Sequence, residues 1–435
     1  MSAILDRFLA YLSASPTPHH AVHNTAVMLG ERSFSARSIA AAPASLAAGD
    51  RGYVADEGSI FAFRIGRRPP AEAGFRIIAA HTDSPNLRIK PQPLQRSHGY
   101  VRLGVEVYGG VQVPTWVDRD LGIAGVVHVR EPGATTGTEA RLVDIRRPVA
   151  RVPTLAIHLN RTVNSEGLKL NNQSELPAVF TLSSDGEGDP LRALLASELD
   201  CAVAGILTWD LSLYDLTPPT LGGARDEFVF SARLDNLGSC HAALEALDAS
   251  LADDIDATTV VALFDHEEIG SRTSRGANGR ALEQVLTMLL RDVAEPGAGD
   301  LSRALANSWL ISADMAHAVH PGFSDKSDAE HAPRMNAGPA IKLNSNQRYT
   351  SEGATTAMFA MLCERAEVPY QWFTTRADMA CGSTVGPMLA SQLGLRAVDV
   401  GNPMLSMHSA REQCGAHDHA RMAAVMHRFL ADPIR

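Results

Sequence analysis

The sequence predicts an α/β protein built on a mixed sheet and interrupted by an inserted β-rich domain. Three observations carry that reading. Short continuous apolar runs, FRIIAA (75–80) and TTVVALF (258–264), are what a strand buried on both faces requires. They alternate with helical patterns early and late in the chain, as α/β units do. Between KPQP (90–93) and TPPTLGG (217–223) the texture changes to β-runs separated by Gly- and Pro-rich turns. The division expected is therefore 1–92 with 224–435 as one discontinuous α/β domain, and 93–223 as the insertion.

Taken in order, Ile4–Leu12 and His19–Leu29 read as helices separated by the breakers Pro16 and Pro18. SIFAFRIG (59–66) alternates as a strand, and FRIIAA ends in His81-Thr82-Asp83-Ser84-Pro85. Inside the insertion VRLGVEVY, VQVPTWV, LGIAGVVHVR and RLVDIRR read as β-runs, with few helical patterns before Pro190. After Gly223 come strand FVFSARLD, helix Gly238–Ser250, strand TTVVALFD, helix Ala281–Val293 and strands WLISAD and PAIKL. Helix Ala354–Arg365, strands QWFTT and RAVDV, and a long helix from about Arg411 complete the chain.

Composition excludes several classes of function. The 435 residues carry 39 Lys and Arg against 49 Asp and Glu, a formal charge of −10, where a phosphate-tracking nucleic-acid binder normally shows a basic domain or stripe. No run approaches the ~18 apolar residues of a membrane helix. Asp6 and Arg7 interrupt the first apolar stretch, so it reads as an amphipathic helix and not a signal peptide. A cytoplasmic location is expected. The five cysteines are scattered and never spaced C-x-x-C, which suits free thiols in a reducing compartment.

Polar residues of metal-binding type follow the apolar strands: His81 and Asp83, Asp235, the run His266-Glu267-Glu268, and Asp314. In an open α/β sheet the carboxyl ends of the strands face one crevice, so side chains remote in sequence converge there. A lone His or Asp at a strand end is more often a cap or turn former; the coincidence of several is what points to a mixed nitrogen and oxygen site. His408, after RAVDV, is the natural further ligand. Neighbouring residues leaving a strand point in opposite directions, so one of Glu267 and Glu268 can bind metal while the other faces substrate and water. The run is not H-E-x-x-H, because Gly270 stands where the second His would be. Neither a P-loop nor a G-x-S-x-G elbow is present, and Cys240 and Cys381 read as structural.

AAHTDSPNLRIKP, FSARLDNLGSC, LFDHEEIGSRTSRGA, SADMAHAVHP, GPAIKLNSNQRYTSEG and GNPMLSMHSARE together resemble, in sequence and order, the motifs of the aspartyl aminopeptidase family of dinuclear zinc metallopeptidases, from about His20 to the C-terminus. The resemblance implies a zinc aminopeptidase domain interrupted by a β-rich dimerisation domain. It implies two zinc ions per subunit, bridged by Asp235 and bound by His81, Asp314, Glu268 and His408, with Glu267 as general base and Asp83 orienting His81. Manganese or cobalt would also suit such a donor set. It further implies substrate contacts from Lys342, Tyr349 and His317, and from His158 reaching a neighbouring subunit's site. The expected partners are short peptides with a free N-terminus, preferentially acidic, and further copies of the chain in a dimer-based homododecamer; no nucleic acid or membrane partner is expected. Two other readings stay open: a related dinuclear aminopeptidase or deacylase of broad or neutral specificity, and a non-catalytic assembly protein stabilised by metal.

Overall fold

Strand runs that are apolar at every position need apolar partners on both faces, and the central sheet supplies them. The computed structural model describes residues 3–183, 188–293 and 297–434. Its nine-stranded sheet runs in the order Ser35–Ala36, Arg51–Asp56, Ser59–Arg64, Thr258–Phe264, Phe75–His81, Trp309–Ala313, Arg396–Gly401, Ala340–Leu343 and Gln371–Thr374. The sheet is mixed. Phe75–His81 lies parallel to both neighbours and Trp309–Ala313 parallel to Arg396–Gly401, whereas Ser59–Arg64 and Ala340–Leu343 pair antiparallel with the strands inside them.

Successive strand residues enter opposite cores, as the two-residue period demands. Ile78, Val261 and Ile311 pack with Phe8, Leu237 and Phe429 on one face. Their neighbours Ile77, Val260 and Leu310 pack with Leu286, Leu289 and Leu389 on the other. The alternating SIFAFR follows the same rule, with Ile60 and Ala62 in the first core and Phe61 and Phe63 in the second.

A six-stranded antiparallel sheet lies in the order Thr138–Ala150, Leu121–Arg130, Ile206–Asp215, Asn86–Ser97, Tyr100–Tyr108, Ala178–Leu182. It has its own core, onto which Leu191 and Leu195 of the helix Pro190–Glu198 pack. That helix starts with Pro190 in its first turn and an Asp189 carboxylate accepting the Arg192 N–H, a well-formed N-cap. Gly125, within LGIAGVVHVR, has φ 149°, and a Cβ there would stand 1.9 Å from the Asp210 carbonyl oxygen. The expected strand VQVPTWV is instead a short 3-10 turn, Val113–Thr115, because Pro114 cannot donate to a ladder.

A third sheet of five strands joins Thr220–Gly222, Phe228–Ser231, Glu412–Gly415, Pro403–Leu405 and Ala316–His317. FVFS therefore leaves the main sheet. The last helix begins at Ala416 and not near Arg411, since Glu412–Gly415 pairs with Phe228–Ser231 first. Among the described residues no helix is long and apolar enough to cross a membrane.

Candidate active site

Each side chain of the site is delivered by the end of an element. His81 is the last residue of its strand, Asp314 follows Trp309–Ala313, and Glu267 and Glu268 form a 3-10 turn after Thr258–Phe264. Asp235 comes from another sheet, at the start of the helix Leu234–Ala249 that follows Phe228–Ser231. His408 sits in the turn between Pro403–Leu405 and Glu412–Gly415. His266 and His408 hold left-handed backbone, φ 63° and 68°, a strained conformation for residues with a Cβ and one that clusters at functional turns.

These ends bring the five expected ligands together around a cleft of about 260 Å³. His81 Nε2 lies 3.3 Å from Asp235 Oδ1 and 3.6 Å from Asp314 Oδ1. His408 Nε2 lies 3.4 Å from Asp235 Oδ2 and 3.4 Å from Glu268 Oε2. The two oxygens of Asp235 thus face two separate donor sets. Ligand atoms each ~2.0 to 2.1 Å from a tetrahedral ion stand roughly 3.4 Å from one another, the spacing seen here. His81, Asp235 and Glu268 also offer ligand atoms within 4.8 Å of one another, so the two sets adjoin closely.

The residues present fit divalent metal on a second ground. Asp235 Oδ1 and Glu268 Oε1 are buried with no hydrogen-bond partner among the described residues, an expensive arrangement unless a cation satisfies them. Burial, and then Asp235, push the Glu268 carboxyl well above the usual carboxylate range. Burial is also the main cause at Glu267, which rises to about 8 with Asp314, Asp83 and Asp235 adding to it against His81. At His81 burial opposes the charged ring, yet Asp235, Asp314 and Asp83 outweigh it and hold its pKa well above 6.5.

Three groups behind the ligands fix them. His81 Nδ1 lies 3.0 Å from the Asp83 carbonyl and 3.3 Å from its carboxylate, leaving Nε2 toward the cleft. The Asp83 carboxylate accepts the Glu267 and Glu268 backbone N–H groups, both at 3.1 Å, and the Tyr108 hydroxyl at 2.7 Å. His408 Nδ1 lies 3.1 Å from the Gly110 carbonyl, which belongs to the turn after Tyr100–Tyr108 of the six-stranded sheet. Sequence reasoning missed Glu412. Its carboxylate is 2 % exposed and accepts the backbone N–H of Asp235 at 3.2 Å and of His408 at 2.7 Å, so one side chain ties two ligand loops together. The only signal in the sequence is an acidic residue four positions after His408.

Lys342 and Tyr349 line the same cleft and are buried, with Lys342 Nζ 3.7 Å from Asp314 Oδ2 and 5.3 Å from the Tyr349 ring centre. His317 lines it from the exposed rim. His158 does not join them within the chain: it occupies an exposed turn, flanked by the exposed Leu155, Ile157 and Leu159. Cys240 is buried with its thiol pushed up to about 12 by burial, and its Sγ lies 3.0 Å from the His81 carbonyl, a structural position.

The chain is similar to known proteins over nearly its whole length. Residues 11–430 match the family described as aminopeptidase I zinc metalloprotease (M18). A protein of Ectopseudomonas mendocina named "Probable M18 family aminopeptidase 2" is 45% identical, over 99% of this chain and 98% of its own. Among solved structures, one described as the Ape4 and Nbr1 complex aligns with a TM-score of 0.94 at 38% identity, over 99% of this chain and 85% of that one. The S. cerevesiae mApe1 dodecamer aligns with a TM-score of 0.84 at 29% identity, over 98% of this chain and 96% of that one.

Proposed function

Given that the chain belongs to the M18 family of zinc aminopeptidases, we propose that it releases N-terminal residues, preferentially Asp or Glu, from short peptides at a two-zinc site. The observation that supports the reading best is Asp235, whose two carboxylate oxygens face His81 with Asp314 on one side and His408 with Glu268 on the other. In this reading His81, Asp235 and Asp314 would hold one ion, and His408, Asp235 and Glu268 the other. When bound, such ions would supply Lewis-acid chemistry to a nearby water and to the scissile carbonyl. Manganese or cobalt would serve the same donors.

Glu267 is left without a place in either ligand set, 4.0 Å from His81 Nε2 at the cleft wall. It takes the proton of the attacking water and returns it to the leaving amine. Asp83 holds that turn through two backbone N–H groups, and so sets where the Glu267 carboxylate stands. The substrate's free amine lies against the carboxylates, which selects an N-terminus over an internal bond. A cleft rich in carboxylates repels an acidic first side chain unless a cation compensates. Lys342 supplies it, with Tyr349 and His317 completing the wall. His158 serves a neighbouring subunit's cleft, its exposed turn being free to reach outward. Segment 93–223 is the assembly domain of a homododecamer made from dimers, and 1–92 with 224–435 the peptidase domain. The protein works in the cytoplasm.

The test is hydrolysis of unblocked Asp, Glu and Leu p-nitroanilides before and after chelation, with zinc, manganese or cobalt restored. Metal-dependent release from Asp or Glu and little from Leu supports the proposal. Release chiefly from Leu removes the acidic preference, and no release with any metal from the assembled protein leaves the non-catalytic reading.

A further inference from the structure

The opposite pole of the main sheet carries a second cluster of charge. Phe75–His81, Trp309–Ala313 and Arg396–Gly401 are adjacent and parallel, and their first rung sets Trp309 between Arg76 on one side and Arg396 on the other. The same strands carry His81 and Asp314 at their far ends, so this rung lies a full strand length from the peptidase cleft. The Arg396 guanidinium stacks 4.3 Å over the Trp309 ring, which fixes its plane. Both arginines line an open cleft of about 460 Å³.

Among the described residues neither has a counter-charge. Arg76 is 6 % exposed and reaches only carbonyl oxygens, the shortest contact being Nη2 to Ile434 O at 2.9 Å, while its Nε is buried with no partner. Arg396 Nη2 donates to the Ala306 carbonyl at 2.7 Å. Carboxylates do line the cleft, but Asp254 and Asp256 pair with Arg67, Glu72 with Arg68, and Asp432 with Arg365. Among the described residues no carboxylate lies within ion-pair distance of Arg76 or Arg396. Burial, with Arg396 beside it, pushes the Arg76 pKa down to about 10, the mark of a cation held without compensation.

We propose that Arg76 and Arg396, braced by Trp309, form a binding site for a small oxyanion, a phosphate group or a carboxylate. Planar guanidinium groups match oxyanions through paired N–H donors, and Arg76, held by burial, and the exposed Arg396, held by stacking on Trp309, lose little freedom on binding. A bound oxyanion also relieves the repulsion between the two cations and tightens the contact between the strand start and the chain's last described residue.

The test is equilibrium dialysis of the metal-loaded, assembled protein against millimolar inorganic phosphate and, separately, succinate at constant ionic strength. An amino-acid hydroxamate blocks the peptidase site so that it cannot contribute. Saturable binding of about one anion per chain is expected for at least one probe, weakened about tenfold or more by Arg396→Gln, a partly exposed position whose change leaves peptide hydrolysis unaltered. Which probe binds tells a phosphate from a carboxylate ligand. Arg76→Gln should act alike; because Arg76 is buried, Arg396→Gln carries the decision if that variant does not fold. Absence of saturable binding for both probes, or equal binding by wild type and Arg396→Gln, overturns the proposal.

Discussion

In the proposed mechanism Asp235 and Glu267 divide the labour of the cleft by how their oxygens are used. Asp235 spends one oxygen on each donor set, so Asp235→Ala should lose metal and activity together; two zinc ions per chain by metal analysis in that variant would contradict bridging. Glu267 touches neither set as a ligand. Glu267→Gln should keep its metal and lose turnover by ~10² or more, the scale of an absent general base; retained turnover would remove the role. Glu412 acts through others, since it holds the Asp235 and His408 backbones. A Gln amide turns one acceptor into a donor facing an N–H, so Glu412→Gln should weaken zinc affinity ~10- to 100-fold, as loss of outer support typically does, measured by competition with a chelator. Unchanged affinity would reduce Glu412 to a bystander. The ligand candidates were legible because strand ends advertise them: an apolar run stopping at His or Asp is visible in one dimension. Glu412 was not, because it acts on backbone N–H groups, one of them Asp235 N–H 177 residues away, and such contacts leave no pattern of side chains in the sequence.

At the scale of elements, the helices Ala3–Ala14, Leu234–Ala249 and Ala416–Ala431 meet around a buried imidazole pair. His241 Nδ1 lies 2.8 Å from His419 Nε2, and Phe8 stacks on His419 at 3.8 Å between ring centres. Burial lowers the His241 pKa to about 3 and holds His419 well below 6.5. Folded, these rings stay neutral where the unfolded chain, near 6.5, takes up protons. Stability is therefore full above about pH 6.5 and falls as the pH drops below it, by roughly 1 kcal/mol per pH unit for each ring. The fall in thermal midpoint between pH 7.5 and 5.5 should shrink when His241→Leu and His419→Phe are combined; an equal fall would place the acid sensitivity elsewhere. Phe8→Ala should cost about 3–5 kcal/mol by the cavity it leaves. Sequence patterning located most of these elements, Ala281–Val293 among them. It missed Val385–Leu393, where Gly386 and Pro387 look like breakers yet sit in a first turn that tolerates them. It read FVFS as a strand without telling which sheet it joins, because periodicity shows that a strand is buried and not which strand it pairs with.

For the whole molecule, the proposed reading gives the exposed turn that carries His158 a part in both specificity and assembly. Leu155, Ile157 and Leu159 are 59, 48 and 73 % exposed, a local apolar surface that a partner copy would cover. Replacing all of them with Ser should shift native mass spectra toward smaller species and lower activity, since His158 would no longer reach its neighbour. An unchanged assembly would separate this turn from the interface. If the proposed homododecamer closes into a shell, it would admit short peptides and exclude folded proteins, and a folded substrate's N-terminus should be cleaved far more slowly than the free peptide. The central claim is that one carboxylate, Asp235, is shared by two metal ions. Anomalous diffraction at the zinc edge from zinc-loaded crystals addresses it directly. The account predicts two peaks ~3.5 to 4 Å apart flanking the Asp235 carboxylate, one beside His81 and Asp314 and the other beside His408 and Glu268; a single peak at full loading, or a pair that does not share Asp235, would contradict it.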